Sequence, residues 1–361
     1  MKSLLKQERL LLLAAVAVLF AYMLEHLFVP GGGAIALGAA ALLIGTIVAA
    51  SLRVAHHAEV LAHRVGDPYG TMILTLSAVL VEVVVLGIVM SHGASPTLVR
   101  DTIFAAVMLD INGILGLAVL IGGFKHGEQP YNDDSGKTYG VMILTAMGIS
   151  MVVPEFIPRA SWQLYSGFTI VAMVCLYAVF LRMQTGPHSY FFSYSYPEKR
   201  GRPTQDNQER GVIGRSIGLL ITGIVLIGAL AEVMSKALNS GLSGTGAPPM
   251  IVALVVAAIS ACPEIFTALK AALANRMQAV INIAMGASLS TVILTVPLME
   301  VLALVTGAPF QMAMTPAQTV MTAITLIVAA INLNDGQTNA IEGMTHFVLF
   351  ATFLMLTALG L

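Results

Sequence analysis

Charge is what this sequence has least of. Asp, Glu, Lys and Arg make up 10% of its 361 residues, against about 25% in a typical soluble domain. So little charge leaves too little polar surface to meet water on every side, which excludes a soluble globular enzyme or binding module. Cysteine is nearly absent. Cys175 and Cys262 both sit in apolar runs, which excludes a disulfide framework and a CxxC metal site. The net charge of −1 provides no global basic field for nucleic acid. No HExxH motif and no nucleophile–base set is present, so intramembrane enzyme chemistry lacks its residues. No lysine or arginine lies deep in a long apolar run.

What is present is apolar length: 57% of the residues are hydrophobic. A bilayer core about 30 Å thick needs roughly 20 apolar residues as a helix. Such runs fall near 9–29, 33–53, 70–92, 97–124, 138–157, 164–183, 212–236, 248–270, 278–306, 315–332 and 338–360. The expectation is an all-α polytopic membrane protein of about eleven transmembrane helices. The first run exceeds a signal-peptide core of roughly 7–15 residues and is read as a retained helix. The stretch 184–211 is the most polar connection and reads as a cytoplasmic linker. With the N-terminus inside, fifteen of the 18 Lys and Arg residues fall on inside segments. Lysine and arginine accumulate on the cytoplasmic side, so the expected orientation is N-terminus in, C-terminus out.

Setting aside the first helix, residues 1–30, leaves two groups of five: 31–183 and 212–361. Five is odd, so the second group has inverted topology, an arrangement recurrent in secondary transporters with midplane sites. The second helices of the groups read GTMILTLSAVLVEVVVLGIV and MIVALVVAAISACPEIFTAL. Each carries a serine upstream of one deep glutamate: Ser77 before Glu82, and Ser260 before Glu264.

A carboxylate at the bilayer centre costs at least about 2.5–3.5 kcal/mol and is a functional hypothesis by default. Glu82 lies roughly 18 Å along its helix, and the opposed direction of the second helix brings Glu264 to a similar level. The rival reading gives each glutamate a separate structural partner. Asp110 is comparably deep, as a ligand, a proton-path residue or a capped structural group. Asn112 sits roughly 200° from it, so the two face different ways. Pro263 removes a helix hydrogen bond and frees the carbonyl of Ile259, either as a plain kink or as a cation ligand. Ser77, Ser260, Asn112, Ser288, Ser290 and Thr291 offer neutral oxygens, although each hydroxyl alone is usually satisfied by its own helix. Glu25, Glu155, Glu232 and Glu300 lie near helix ends and are expected to reach interfacial water. His56, His57 and His63, with Glu59 and Asp67, read as a solvated loop rather than a metal site. A pH-sensing role is the alternative there.

Three stretches resemble the cation/calcium exchanger superfamily. HAEVLAHRVGDPYGTMILTLSAVLVEV (57–83) is similar to the segment around the first-repeat glutamate of bacterial calcium and sodium-potassium/proton antiporters. SACPEIFTALKAALANRMQAVINIAMGASLSTVILTVP (260–297) resembles the second repeat, and DGQTNAIEGMTHFVLFATFLM (335–355) resembles the DGxSNWLEG opening of the last helix. The best fit is the calcium/proton exchanger branch. Val79 and Ala261 stand where the family's GNxxE has asparagine, Ser260 replaces its glycine, and Ser290 replaces a glutamine. The acidic central segment of many members is missing.

The resemblance implies a bacterial inner-membrane antiporter exchanging cytoplasmic Ca2+ for protons by alternating access at Glu82 and Glu264. No cofactor is implied; the partners are inorganic cations, protons and the lipid bilayer. Alternatives are exchange of Na+ or K+ for protons at the same site, or a cation channel. Elementary electrostatics supports exchange independently. Two close carboxylates repel, and two protons or one divalent cation neutralise them equally. A neutral site crosses a low-dielectric region far more cheaply than a doubly anionic one.

Overall fold

The computed structural model describes residues 8–65, 69–91, 95–186, 188–194, 209–307 and 310–361. Within them are eleven helices: α1 (Arg9–Phe28), α2 (Gly33–Val65), α3 (Tyr69–Ser91), α4 (Leu98–His126), α5 (Asp133–Phe156), α6 (Trp162–Thr185), α7 (Glu209–Leu242), α8 (Met250–Leu273), α9 (Met277–Thr306), α10 (Pro316–Asn332) and α11 (Ala340–Leu359). Ten are long and apolar enough to cross a membrane, and α10 is a shorter apolar helix. Each expected apolar run is a helix.

Local chemistry sets the ends. Asn132 caps α5 by accepting from the Asp134 amide at 3.1 Å. Thr315 and Gln318 close a capping box on α10, with Pro316 in its first turn. In the DGQTN stretch, Gly336 takes a positive φ of 77°, and Asn339 caps α11 through the amides of Ile341 and Glu342. The most family-like motif in the sequence therefore builds a turn and a helix start. It also forms the antiparallel pair β1 (Gln129–Pro130) with β2 (Gln337–Thr338).

Two helices run longer than the hydropathy indicated. Helix α2 spans 33 residues to Val65 and α7 spans 34. His56 and His57 are thus helical, correcting the loop reading. Arg53 and His57 on α2 both reach Glu8, at 2.7 and 3.2 Å, tying the start of α1 to the polar end of α2. The Arg53 guanidinium holds the Glu8 carboxyl down to about 2. A depressed carboxyl contributes stability above its unfolded value and loses it only as pH falls through its folded one, so this anchor stays charged near neutral pH.

Helix α4 is the axis of the fold, with every side chain from Leu98 to Leu115 buried. It meets α11 backbone to backbone. A Cβ on Gly116 would lie 2.9 Å from the Phe347 amide, and one on Gly343 would overlap the backbone of Leu120. Small residues give membrane helices this approach. Gly343→Ala is expected to destabilise the protein by about 1–3 kcal/mol through overpacking, read as a lower thermal midpoint in detergent. An unchanged midpoint would show that the helices separate freely.

Among the described residues three helices carry a π-helical turn: Met108–Leu115 in α4, Gly148–Val152 in α5 and Thr291–Thr295 in α9. Such turns are frequent at functional sites, since they re-aim side chains and release backbone groups.

Candidate cation site

Helices α2, α3, α4, α6, α8 and α9 line a cavity of about 880 Å³. Glu82 projects into it from α3, Asp110 from the π turn of α4 and Glu264 from α8. Glu82 is 3% exposed and Asp110 2%, while Glu264 is half-buried. Glu82 Oε2 accepts from Thr291 Oγ1 at 3.1 Å and Thr295 Oγ1 at 2.9 Å, both on the π turn of α9. Among the described residues its Oε1 has no hydrogen-bond partner, nor has Glu264 Oε2. Asp110 Oδ2 accepts from Ser288 Oγ at 3.2 Å. The three carboxyl groups are electrostatic neighbours: Asp110 senses Glu264 and Glu82, and Glu264 senses Glu82. Among the described residues no lysine or arginine pairs with any of them.

The neutral oxygens divide into two kinds. Ser77, Ser260 and Ser290 line the cavity and donate to carbonyls of their own helices, at 2.7, 2.9 and 2.9 Å. A hydroxyl that donates to its backbone keeps its lone pairs for a cation. Ser288 and Thr291 turn to the carboxylates instead. Asn112 and Ile259 are buried and do not line the cavity. Asn112 donates to Thr325 Oγ1 at 2.7 Å and meets His346 Nδ1 at 3.0 Å, on the far side of α4 from Asp110. The structure therefore does not bring Asn112 or Ile259 to the candidate site.

Thr295 is the residue sequence reasoning missed. Its position four after Thr291, one turn along the same helix, was the available signal. Also unforeseen was the start of the linker. Ser189–Phe192 forms a short turn whose Phe192 ring packs on Tyr139 and Phe180. Asn282 Nδ2 donates to the Phe192 carbonyl at 2.8 Å. Ser189, Phe192 and Ser193 thus form part of the cavity wall.

His56, Glu59, Gln184 and Lys270 also line the cavity. At the start of α4 Arg100 pairs with Asp101 at 2.7 Å and donates to the Ala313 carbonyl. Gln318 donates to the same Asp101. This buried cluster ties α4 to α10 and the segment before it.

Acidic groups deep within long apolar helices, with lone-pair-bearing hydroxyls around them, define a membrane carrier for inorganic cations. Sequence comparison makes the class specific. The sodium/calcium exchanger protein family matches residues 35–186 and 215–359, and the chain belongs to that family. It is 34% identical over 282 residues to the sodium-potassium/proton antiporter ChaA of Escherichia coli, covering 75% of each chain. It is 31% identical to y4hA of Sinorhizobium fredii, covering 95% of this chain and 93% of that one. Its fold matches that of the Ca2+/H+ antiporter YfkE with a TM-score of 0.77 at 17% identity, over 97% of this chain and 99% of the other. These relatives are thus a sodium-potassium/proton antiporter, a protein named as an ionic transporter and a Ca2+/H+ antiporter.

Proposed function

We propose that the protein exports cytoplasmic Ca2+ in exchange for protons, by alternating access at a midplane site built on Glu82 and Glu264 with Asp110 beside them. The supporting observation is the cavity into which three acidic groups project with, among the described residues, no basic partner. Calcium takes six to eight oxygens in irregular geometry. Glu82 Oε1, Glu264 Oε2 and the hydroxyls of Ser77, Ser260 and Ser290 offer donors of that kind. Residues 31–183 and 212–361 act as inverted repeats around the site. The matched π turns of α4 and α9, and the paired deep glutamates of α3 and α8, support this division.

Exchange of Na+ or K+ for protons is the second reading, favoured by the 34% identity to a sodium-potassium/proton antiporter. A monovalent cation leaves such a site one charge short of neutrality unless a proton stays bound, and Asp110 supplies a further place for that proton. Everted vesicles decide between them. Proton movement stimulated by Ca2+ but not by Na+ or K+ supports the first reading, and the converse supports the second. Cation flux indifferent to the proton gradient would indicate a channel.

The orientation also belongs to this reading: N-terminus cytoplasmic, C-terminus outside, and the cavity open to the cytoplasm. The stretch 195–208 of the linker lies outside the described residues. A cysteine placed there is expected to resist an impermeant thiol reagent in intact cells and to react in everted vesicles. Efficient labelling in intact cells would invert the assignment of sides.

A further inference from the structure

Helix α9 continues past Glu82 on the side away from the cavity. Five residues beyond Thr295, roughly 7.5 Å along the axis, it carries Glu300. This carboxylate was expected to reach interfacial water, but it is 3% exposed. Ser166 on α6 faces it as a hydroxyl donor, and among the described residues Glu300 Oε2 has no hydrogen-bond partner. Tyr165 lies within its field, yet the Tyr165 hydroxyl donates to the Ile149 carbonyl at 2.7 Å.

The elements packed on this stretch of α9 are α6, α3 and α4. Their charged groups are Glu82 on α3, Arg100, Asp101, Asp110 and Lys125 on α4, and Arg182 at the far end of α6, with Arg159 in the turn before it. Arg100 is committed to Asp101 and the Ala313 carbonyl and Lys125 to the Leu273 carbonyl, so among the described residues no ion pair explains the burial of Glu300. A glutamine or leucine would fill the same space without the cost of an ionisable group in the membrane. Glu300 is also the next carboxylate along α9 beyond the threonines that hold Glu82.

We propose that Glu300, faced by Ser166, is a second proton-carrying site serving the outer half of the exchange pathway; this rests on the cation/proton exchange reading above. When the outer side opens, the Glu300 carboxylate takes a proton from outer water. It then gives that proton to the emptied Glu82 carboxylate and returns to the anion. One O–H bond forms and breaks at Glu300 per proton delivered, and no other reactant is required.

The test uses the full chain in sealed vesicles of defined orientation. The outer pH is stepped from about 6 to about 8 while cation-coupled proton uptake is followed. In Glu300→Gln, which keeps the shape and the contact with Ser166, uptake is expected to fall about tenfold or more at the alkaline end. It should recover to within about twofold at the acid end, where outer water itself supplies protons. Calcium binding from the inner side should be unchanged. Wild-type rates at every outer pH, or an equal loss at every outer pH, would overturn the proposal. Ser166→Ala keeps Glu300 ionisable and decides the matter should the first variant not fold. It should move the midpoint of the outer-pH profile and keep the full acid-side rate, and an unmoved midpoint would overturn the proposal. A wild-type protein that exchanges no cation for protons would instead overturn the function on which the proposal rests.

Discussion

Glu82→Gln and Glu264→Gln are each expected to abolish cation-stimulated proton movement while leaving the protein inserted and folded. Glutamine preserves the size of the side chain and can still accept from Thr291 and Thr295 at position 82. It removes the negative charge that a cation needs and the site a proton occupies. Replacing a charge that has no basic partner leaves no opposite charge stranded in the protein, so stability should hold or rise. Transport in everted vesicles, with protein amount and thermal midpoint measured alongside, is the check. Near-normal exchange in either variant would dismiss the two-glutamate site. Loss of protein in both would assign the glutamates a structural role.

Acidification is expected to weaken calcium binding steeply, because protons and calcium compete for the same carboxyl groups. The sign follows from linkage: the calcium-bound state holds fewer protons than the empty one, so lowering pH favours the empty one. Where both glutamates are protonated in the empty state, log affinity should change by about two per pH unit, flattening once they ionise. Asp110 lines the same cavity and senses both glutamates, which argues against a separate proton path through it. Asp110→Asn should accordingly keep the steep pH dependence while lowering cation affinity. If calcium still binds to Asp110→Asn but with no dependence on pH, Asp110 is itself the proton carrier.

Depth along a helix made Glu82, Glu264 and Asp110 legible in the sequence, since a charge far from either end of an apolar run has few structural excuses. The angular offset of Asn112 from Asp110 was legible for the same reason, and the two do face opposite sides of α4. Depth failed for Glu300, because a position near a helix end says nothing of what the neighbouring helix covers; here α6 does the covering. Hydropathy ended α2 near Arg53, where polar residues begin, yet the helix continues through Ala55, His56 and His57 to Val65. Good helix formers and the Glu8 anchor carry it beyond the apolar run. The cavity wall contributed by Ser189 and Phe192 was hidden in a stretch that composition alone marks as a linker. Its role depends on Asn132 and Asn282, distant in sequence, capturing its carbonyls.

Counting the protons released when calcium binds tests the exchange mechanism most directly. Purified protein in weak buffer receives calcium at several pH values, and the released protons are titrated back. Release should approach about two protons per calcium at the acid end, where the empty site is fully protonated. It should decline toward zero as pH rises, and the Glu82→Gln, Glu264→Gln double variant should show none. Calcium binding to the wild type without proton release at any pH would contradict competition at a shared carboxylate site.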